Sequence, residues 1–290
     1  MNNSLRAVWP MELCDPSGLR EHSETERSCR ENVGDANHGI TMVIDKGLGR
    51  NAFSDLIETA SDYISCIKFG FGTAPLYKTE ILMHKIHLAK QNGIMVMPGG
   101  TLLETAVQQD QVSGFFKTIC SLGFNAVEVS DGTIELPRNK RTELIKEGKQ
   151  LGLRVLTEYG KKLSGSLIDA ARLAETMESD LAAGAEFLTV EARESGVGVG
   201  VFDNNGDCKE KVIDDIMEFV PEPNRLIWEA PLKQQQAMFL RKFGSNVHLG
   251  NIPPGEVFAL EAMRRGLRQD TFELGLKEKA ATAEEFFYMI

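Results

Sequence analysis

Acidic residues and lysines recur at one kind of position in this chain, the end of a short apolar run. The runs close on Asp45-Lys46-Gly47, Lys68-Phe69-Gly70, Pro98-Gly99-Gly100-Thr101, Glu128-Val129-Ser130-Asp131-Gly132, Glu158-Tyr159-Gly160-Lys161-Lys162, Glu191-Ala192-Arg193 and Glu229-Ala230-Pro231. Successive side chains of a strand point to opposite faces. Ile67 and Phe69, Val127 and Val129, Leu188 and Val190, and Leu226 and Trp228 form apolar faces. Lys68, Glu128, Glu191 and Glu229 then share the opposite face, and Asp45 and Glu158 are expected to join them. A carboxylate on such a face is costly unless it has a partner or a task. A single one is explained by an ion pair with Lys68; a set at the same end of several strands points to a site. Carboxylates around a cavity suit a hard divalent cation such as Mg²⁺. Lys46, Lys68, Lys161, Lys162 and Arg193 suit phosphate, sulfonate or carboxylate groups. The turns Gly70–Thr73, Gly99-Gly100-Thr101 and Gly196–Gly200 would let backbone amides approach an anion. Together these residues predict a metal-assisted site for a small, multiply charged anion.

The elements that must position them follow a regular rhythm. Strands are expected at Met42–Asp45, Ile64–Phe69, Ile94–Met97, Ala126–Val129, Arg154–Glu158, Phe187–Glu191, Leu226–Glu229 and Asn246–Leu249. Amphipathic helical stretches lie between them, several stopped by glycine: Gly93, Gly123, Gly152, Gly184 and Gly244. Strict alternation implies a parallel sheet with crossover helices. Eight such units make an α/β fold of the (β/α)8 TIM-barrel type, whose active sites sit at the C-terminal strand ends. An open doubly wound sheet is the rival, but no Gly-x-Gly-x-x-Gly follows the first strand. The expected organisation is a polar N-terminal arm over residues 1–38, a barrel over 39–268, and a tail over 269–290 with a short helix at Ala283–Met289. Trp9-Pro10-Met11 is the stretch that could pin the arm.

Other features narrow the function by exclusion. A formal net charge of −10 argues against nonspecific nucleic-acid or anionic-membrane binding. The five cysteines are scattered, with no zinc-type spacing, which fits free thiols in a reducing cytoplasm. No signal peptide or membrane-spanning run is seen. His84 and His87 lie one turn apart, but on an outer helix, and read as a solvated face. His248 reads as a core histidine.

The strand-end phrases also carry a resemblance. Val43–Leu48, Lys68–Thr73, Pro98–Leu102, Gly123–Gly132, Val155–Lys162, Arg193–Gly196, Glu229–Pro231 and Arg264–Arg268, in that order, resemble the phosphosulfolactate synthase family across residues 39–274. The resemblance implies a (β/α)8 barrel that adds sulfite to C3 of phosphoenolpyruvate, with Mg²⁺, giving (2R)-3-phosphosulfolactate. It connects the product with coenzyme M biosynthesis in methanogens and with sulfolactate in bacteria. It points to Lys162 as the proton donor to C2. Lys161 and Glu128 are the other catalytic candidates, Glu128 as a residue that orients a lysine. Lys46, Lys68, Arg193, Gly100 and Ser130 are the substrate-binding candidates; Glu158, Glu191 and Glu229 are the metal-binding candidates. It further implies a homo-oligomer, with a trimer as one form. Tyr159 replaces a small aliphatic residue, and Val197 and Val199 stand where some relatives carry lysines. The alternatives are a noncatalytic stress-associated or binding protein on the same barrel and a Schiff-base aldolase using Lys161 or Lys162.

Overall fold

Short β-rich runs and longer amphipathic stretches alternate through the computed structural model, which describes residues 9–18, 39–163, 165–193 and 195–274. The strands are β1 (Thr41–Asp45), β2 (Cys66–Phe69), β3 (Met95–Pro98), β4 (Ala126–Val129), β5 (Arg154–Tyr159), β6 (Phe187–Val190), β7 (Leu226–Glu229) and β8 (Leu249–Ile252). The helices are α1 (Arg50–Ala60), α2 (Thr79–Gln91), α3 (Gly100–Gln108), α4 (Val112–Leu122), α5 (Arg138–Gln150), α6 (Ala170–Ala183), α7 (Glu210–Phe219), α8 (Lys233–Phe243) and α9 (Val257–Arg264). All strand pairings are parallel, in the order β3-β2-β1-β8-β7-β6-β5-β4. The fold is the expected (β/α)8 barrel.

The backbone ladder stops between β3 and β4, the one junction spanned by two helices. Side chains bridge it instead. Asn125 Oδ1 accepts from the Val96 N–H at 2.7 Å, and Glu128 Oε2 accepts from the Gly100 N–H at 2.7 Å. α4 ends on Gly123, whose φ of 90° is the left-handed conformation that lets the chain turn sharply into β4.

The outward strand residues pack under the helices in two apolar groups. One holds Val43, Ile67, Phe69, Val96, Val127, Val129 and Val155; the other holds Leu188, Val190, Leu226, Trp228, Leu249 and Ile252. The last strand differs from expectation. It is Leu249–Ile252, not Asn246–Leu249, and its Gly-Asn pair imitates a loop. A Cβ on Gly250 would lie 2.7 Å from Met42 Cε and 3.1 Å from Ile227 Cγ2, so a larger residue there would push those side chains aside.

Within the expected arm, residues 9–18 contain one helical turn, Met11–Cys14, tied to the body by Arg265. The Arg265 guanidinium donates to the Cys14 carbonyl at 3.2 Å, and the Ser17 N–H donates to the Arg265 carbonyl at 3.3 Å. Trp9, from the stretch that could pin the arm to the body or to a neighbouring subunit, is exposed. The helix expected at Ala283–Met289 lies outside the described residues. Among the described residues no helix is long and apolar enough to cross a membrane.

Candidate active site

The barrel lumen has two levels. Its floor is apolar: Ile40, Met42, Cys66, Met95, Met97, Ala126, Leu156, Phe187 and Ile227. Two residues further along their strands, Cys66, Ala126, Leu156 and Ile227 give way to Lys68, Glu128, Glu158 and Glu229. The period-two geometry therefore stacks a charged layer directly on the apolar one. Glu191 joins it just beyond β6. All five charged side chains are buried.

Lys68 is the hub. Its Nζ lies 3.1 Å from Glu128 Oε1, 3.0 Å from Glu229 Oε1 and 3.4 Å from Glu158 Oε2. Burial disfavours its charge, but Glu128, Glu229 and Glu158 outweigh that and hold the ammonium well above its ordinary range. The remaining oxygens of two partners are also taken. Glu128 Oε2 holds the Gly100 amide, and Glu229 Oε2 accepts from the Ala192 N–H at 3.0 Å.

Lys162 enters the same layer from the loop after β5. Its Nζ lies 3.0 Å from Glu158 Oε1, 3.6 Å from Glu191 Oε2 and 3.3 Å from Thr101 Oγ1. Its stem runs beside Gly132, where a Cβ would come within 3.0 Å of Lys162 Cε. Burial opposes the charge on Lys162, but Glu158 and Glu191 hold its pKa above the ordinary lysine value. Glu158 also has burial working against its charge; Lys162 and Lys68 overcome this and lower its pKa. Glu191 goes the other way, raised by burial and by the neighbouring Glu158 and Glu229. Glu158 Oε1 and Glu191 Oε2 are buried without a directed hydrogen bond, although Lys162 is within ion-pair distance of both.

The other expected site residues are placed as follows. Lys46 is exposed at the end of β1, and Arg193 is half-buried after β6 with a left-handed φ of 61°. Gly100 opens α3 and donates to Glu128; a Cβ there would strike Ser130 Oγ at 2.3 Å. The Ser130 hydroxyl is itself engaged, donating to Glu104 Oε1 at 2.5 Å. Lys161 turns away from the lumen: its Nζ donates to the carbonyls of Asp131 and Ile134 at 2.7 and 2.9 Å. The two adjacent lysines thus part company, one clamping the loop after β4 and the other entering the charged layer.

Two expectations are corrected. Asp45 does not face the lumen. It ends an outward-facing series with Val43, pairs with Lys85 of α2 at 2.6 Å, and accepts from Tyr77 and from the Gly47 and Leu48 amides. Lys85 lies over the rings of Phe53, Phe69 and Tyr77, which makes this buried pair a bolt between barrel and helix. The Gly196–Gly200 turn is no free amide cradle either. The N–H groups of Gly196, Gly198 and Gly200 donate to Arg193, Asp203 and Ser166 carbonyls.

Sequence reasoning missed residues on the helices. Glu104 of α3 accepts from Ser130 and from the Gly132 and Thr133 amides at 3.1 and 2.8 Å, which fixes the loop that Lys162 lies against. Arg141 of α5 grips Asp180, reaches Asp131 at 3.2 Å, and donates to the Glu158 carbonyl at 3.0 Å. Lys85 and Arg141 sit at apolar-stripe positions, with Leu82, Ile86 and Ala89 or with Leu144, Ile145 and Gly148. A charge in such a stripe is the signal that could have found them.

Among the described residues, no group of three or more His, Cys, Asp or Glu side chains is arranged to hold a metal. Glu229 is committed to Lys68 and the Ala192 amide. Glu158 and Glu191, whose buried oxygens face Lys162 but take no directed hydrogen bond, are the pair able to offer ligands.

The chain also matches known proteins in sequence. Residues 30–270 match the family model for (2R)-phospho-3-sulfolactate synthase (ComA). The chain belongs to the phosphosulfolactate synthase family. That family comprises lyases that form a carbon–sulfur bond. The chain is 42% identical over 236 residues to the phosphosulfolactate synthase of Methanothermobacter thermautotrophicus, covering 81% of this chain and 91% of the relative. It is 21% identical over 233 residues to the Arabidopsis thaliana protein heat-stress-associated 32, covering 75% of this chain and 81% of that one. The YdjI aldolase of Escherichia coli K12 superposes with a TM-score of 0.53 at 16% identity, covering 90% of this chain and 93% of that chain, a likeness of fold alone.

Proposed function

We propose that this protein adds sulfite to C3 of phosphoenolpyruvate, with Mg²⁺, to give (2R)-phospho-3-sulfolactate. Family membership together with the Lys162–Glu158–Glu191 cluster carries this reading. The reaction brings two anions together. One pair of unit charges 4 Å apart costs about 4 kcal/mol at an effective dielectric near 20, so the site must supply positive charge. Two ammoniums, Lys68 and Lys162, face four carboxylates, Glu128, Glu158, Glu191 and Glu229. Full ionisation would leave the layer two negative charges in excess, and the raised pKa of Glu191 is its response to that excess.

That excess, and the Glu158 and Glu191 oxygens that take no directed hydrogen bond, fit a divalent cation. Mg²⁺ is commonly bound by one or two carboxylates, with water and substrate oxygens completing its shell. When bound, it would neutralise the layer and withdraw electron density from the substrate carboxylate as charge develops at C2. Lys162 is kept cationic by Glu158 and Glu191, and it delivers its proton to C2 from the lumen. Lys46 and Arg193, at the rim, attract the incoming anions. Lys68, with three carboxylates around it, keeps those side chains in place.

A Schiff-base aldolase needs a neutral amine. Lys161 is held by two carbonyls and Lys162 by two carboxylates, which weighs against that reading. A noncatalytic protein has no need of the charged layer. The test is an assay containing phosphoenolpyruvate, sulfite and Mg²⁺, each omitted in turn. Phosphosulfolactate should form only in the complete mixture; its absence there would reject the proposal. Borohydride trapping with a keto acid should leave no adduct.

A further inference from the structure

We propose that Asn251, on β8, binds an oxyanion group of the substrate through its side-chain amide. This rests on the phosphoenolpyruvate reading above and assigns a contact to a residue not yet given any role.

The local geometry singles it out. β1 and β8 are paired Thr41 with Leu249 and then Val43 with Ile252, so β8 carries one residue more than β1 between these points. Leu249, Ile252 and Val43 all belong to the outer apolar groups, and Met42 to the lumen floor. Gly250 and Asn251 together therefore stand across from the lumen-facing Met42, which is a β-bulge. Bulges of this kind occur at barrel rims and re-aim side chains near active sites. Asn251 adopts a left-handed φ of 59°. It is buried, 3% exposed, yet its Oδ1 has no hydrogen-bond partner, and among the described residues its Nδ2 makes no hydrogen bond.

A buried amide normally has its polar atoms satisfied within the protein or by ordered water. Here the amide is one residue beyond Gly250, and Gly250 is paired with Glu229 of the charged layer. It is thus at the mouth end of the strand. The ends of strands 7 and 8 are also the usual place where barrels of this class hold phosphate groups. An oxyanion would take the Nδ2 hydrogens, and its bound water or remaining proton would satisfy Oδ1.

The alternative is that asparagine is present only because it tolerates the left-handed backbone, a task glycine performs equally well. Asn251→Gly separates the two. It keeps the bulge and deletes the amide alone. Thermal melting of wild type, Asn251→Gly and Asn251→Asp is measured first, then titration with phosphoenolpyruvate, inorganic phosphate and pyruvate, then turnover with sulfite and Mg²⁺. The expected result is an unchanged melting temperature for Asn251→Gly, a tenfold or greater weakening of phosphoenolpyruvate binding and KM, and a smaller change in kcat. Asn251→Asp should bind more weakly still. Parallel weakening of inorganic phosphate assigns the contact to the phosphoryl group; parallel weakening of pyruvate assigns it to the carboxylate. Binding by Asn251→Gly within twofold of wild type, or a large fall in its melting temperature, overturns the inference. A wild type that binds these anions but forms no phosphosulfolactate rejects the reaction while the titrations still decide the role of Asn251. A wild type that binds none of them overturns both.

Discussion

The floor and the mouth of this lumen are built on the same strands, two residues apart, and they obey opposite rules. At the floor, Met42, Met97, Leu156, Phe187 and Ile227 fill space and exclude water. At the mouth, Lys68 and Lys162 are held among four glutamates, and two carboxylate oxygens lack directed partners. The floor's packing favours the folded state. The mouth's clustered like charges strain it, which is where a catalytic site tolerates cost. The apolar floor also makes the charges above it matter more, since water reaches them from one side.

Breaking the contrast should have graded consequences. Lys162→Ala should lower turnover by about 10²–10⁴-fold, the scale of a lost proton donor, with a smaller loss of stability than Lys68→Met because Lys162 is the more exposed of the two lysines. A variant that melts as early as Lys68→Met would make Lys162 a structural residue. Lys68→Met leaves three buried carboxylates without their shared cation. Removing one member of a buried ion pair typically costs about 3–5 kcal/mol, so denaturant unfolding should show a loss of that order. Leu156→Ala opens a hole in the floor and should cost about 2–5 kcal/mol, with turnover per folded molecule close to wild type. A Leu156 variant that folds normally but fails to turn over would erase the distinction between the levels.

Metal and proton should compete at the mouth. Mg²⁺ is expected to raise the melting temperature of wild type, and Glu158→Gln should abolish that increase. The increase should shrink as pH falls through the raised pKa of Glu191, because a protonated carboxyl is a poor ligand. Its sign for folding is also set. A carboxyl whose pKa is raised in the folded state binds its proton more readily there, so its contribution to stability falls as pH rises past the ordinary 4.5.

The smallest effect lies at the floor, and it has the opposite sign. His248, just before β8, accepts the Ile40 amide on Nδ1 at 2.9 Å, which leaves Nε2–H to donate to the Asn224 carbonyl at 2.9 Å. Burial lowers its pKa from 6.5 to about 4. Its stabilising contribution is complete above 6.5 and is lost as pH falls towards 4, because the unfolded chain takes the proton first. Melting temperatures of wild type and His248→Asn across that range should converge at the acid end; parallel curves would refute the assignment.

The strand sequences alone specify the charged level. Alternation with period two, read from Cys66-Ile67-Lys68-Phe69 or Leu156-Thr157-Glu158, puts lysine and glutamate on one face and their apolar neighbours on both sides of the wall. Glycine stops and helical periodicity likewise identify the repeating units. Pairing was not legible. Asp45 looks like another lumen acid until Lys85, on a helix 40 residues away, is brought to 2.6 Å. Lys161 and Lys162 are neighbours of the same type, and only the carbonyls of Asp131 and Ile134 decide which one is a clamp. Glu104 and the closure of β3 against β4 depend on contacts between elements distant in sequence. Local steric rules fix which way a side chain points; which partner awaits it depends on how the barrel closes, and that is a property of the assembled chain.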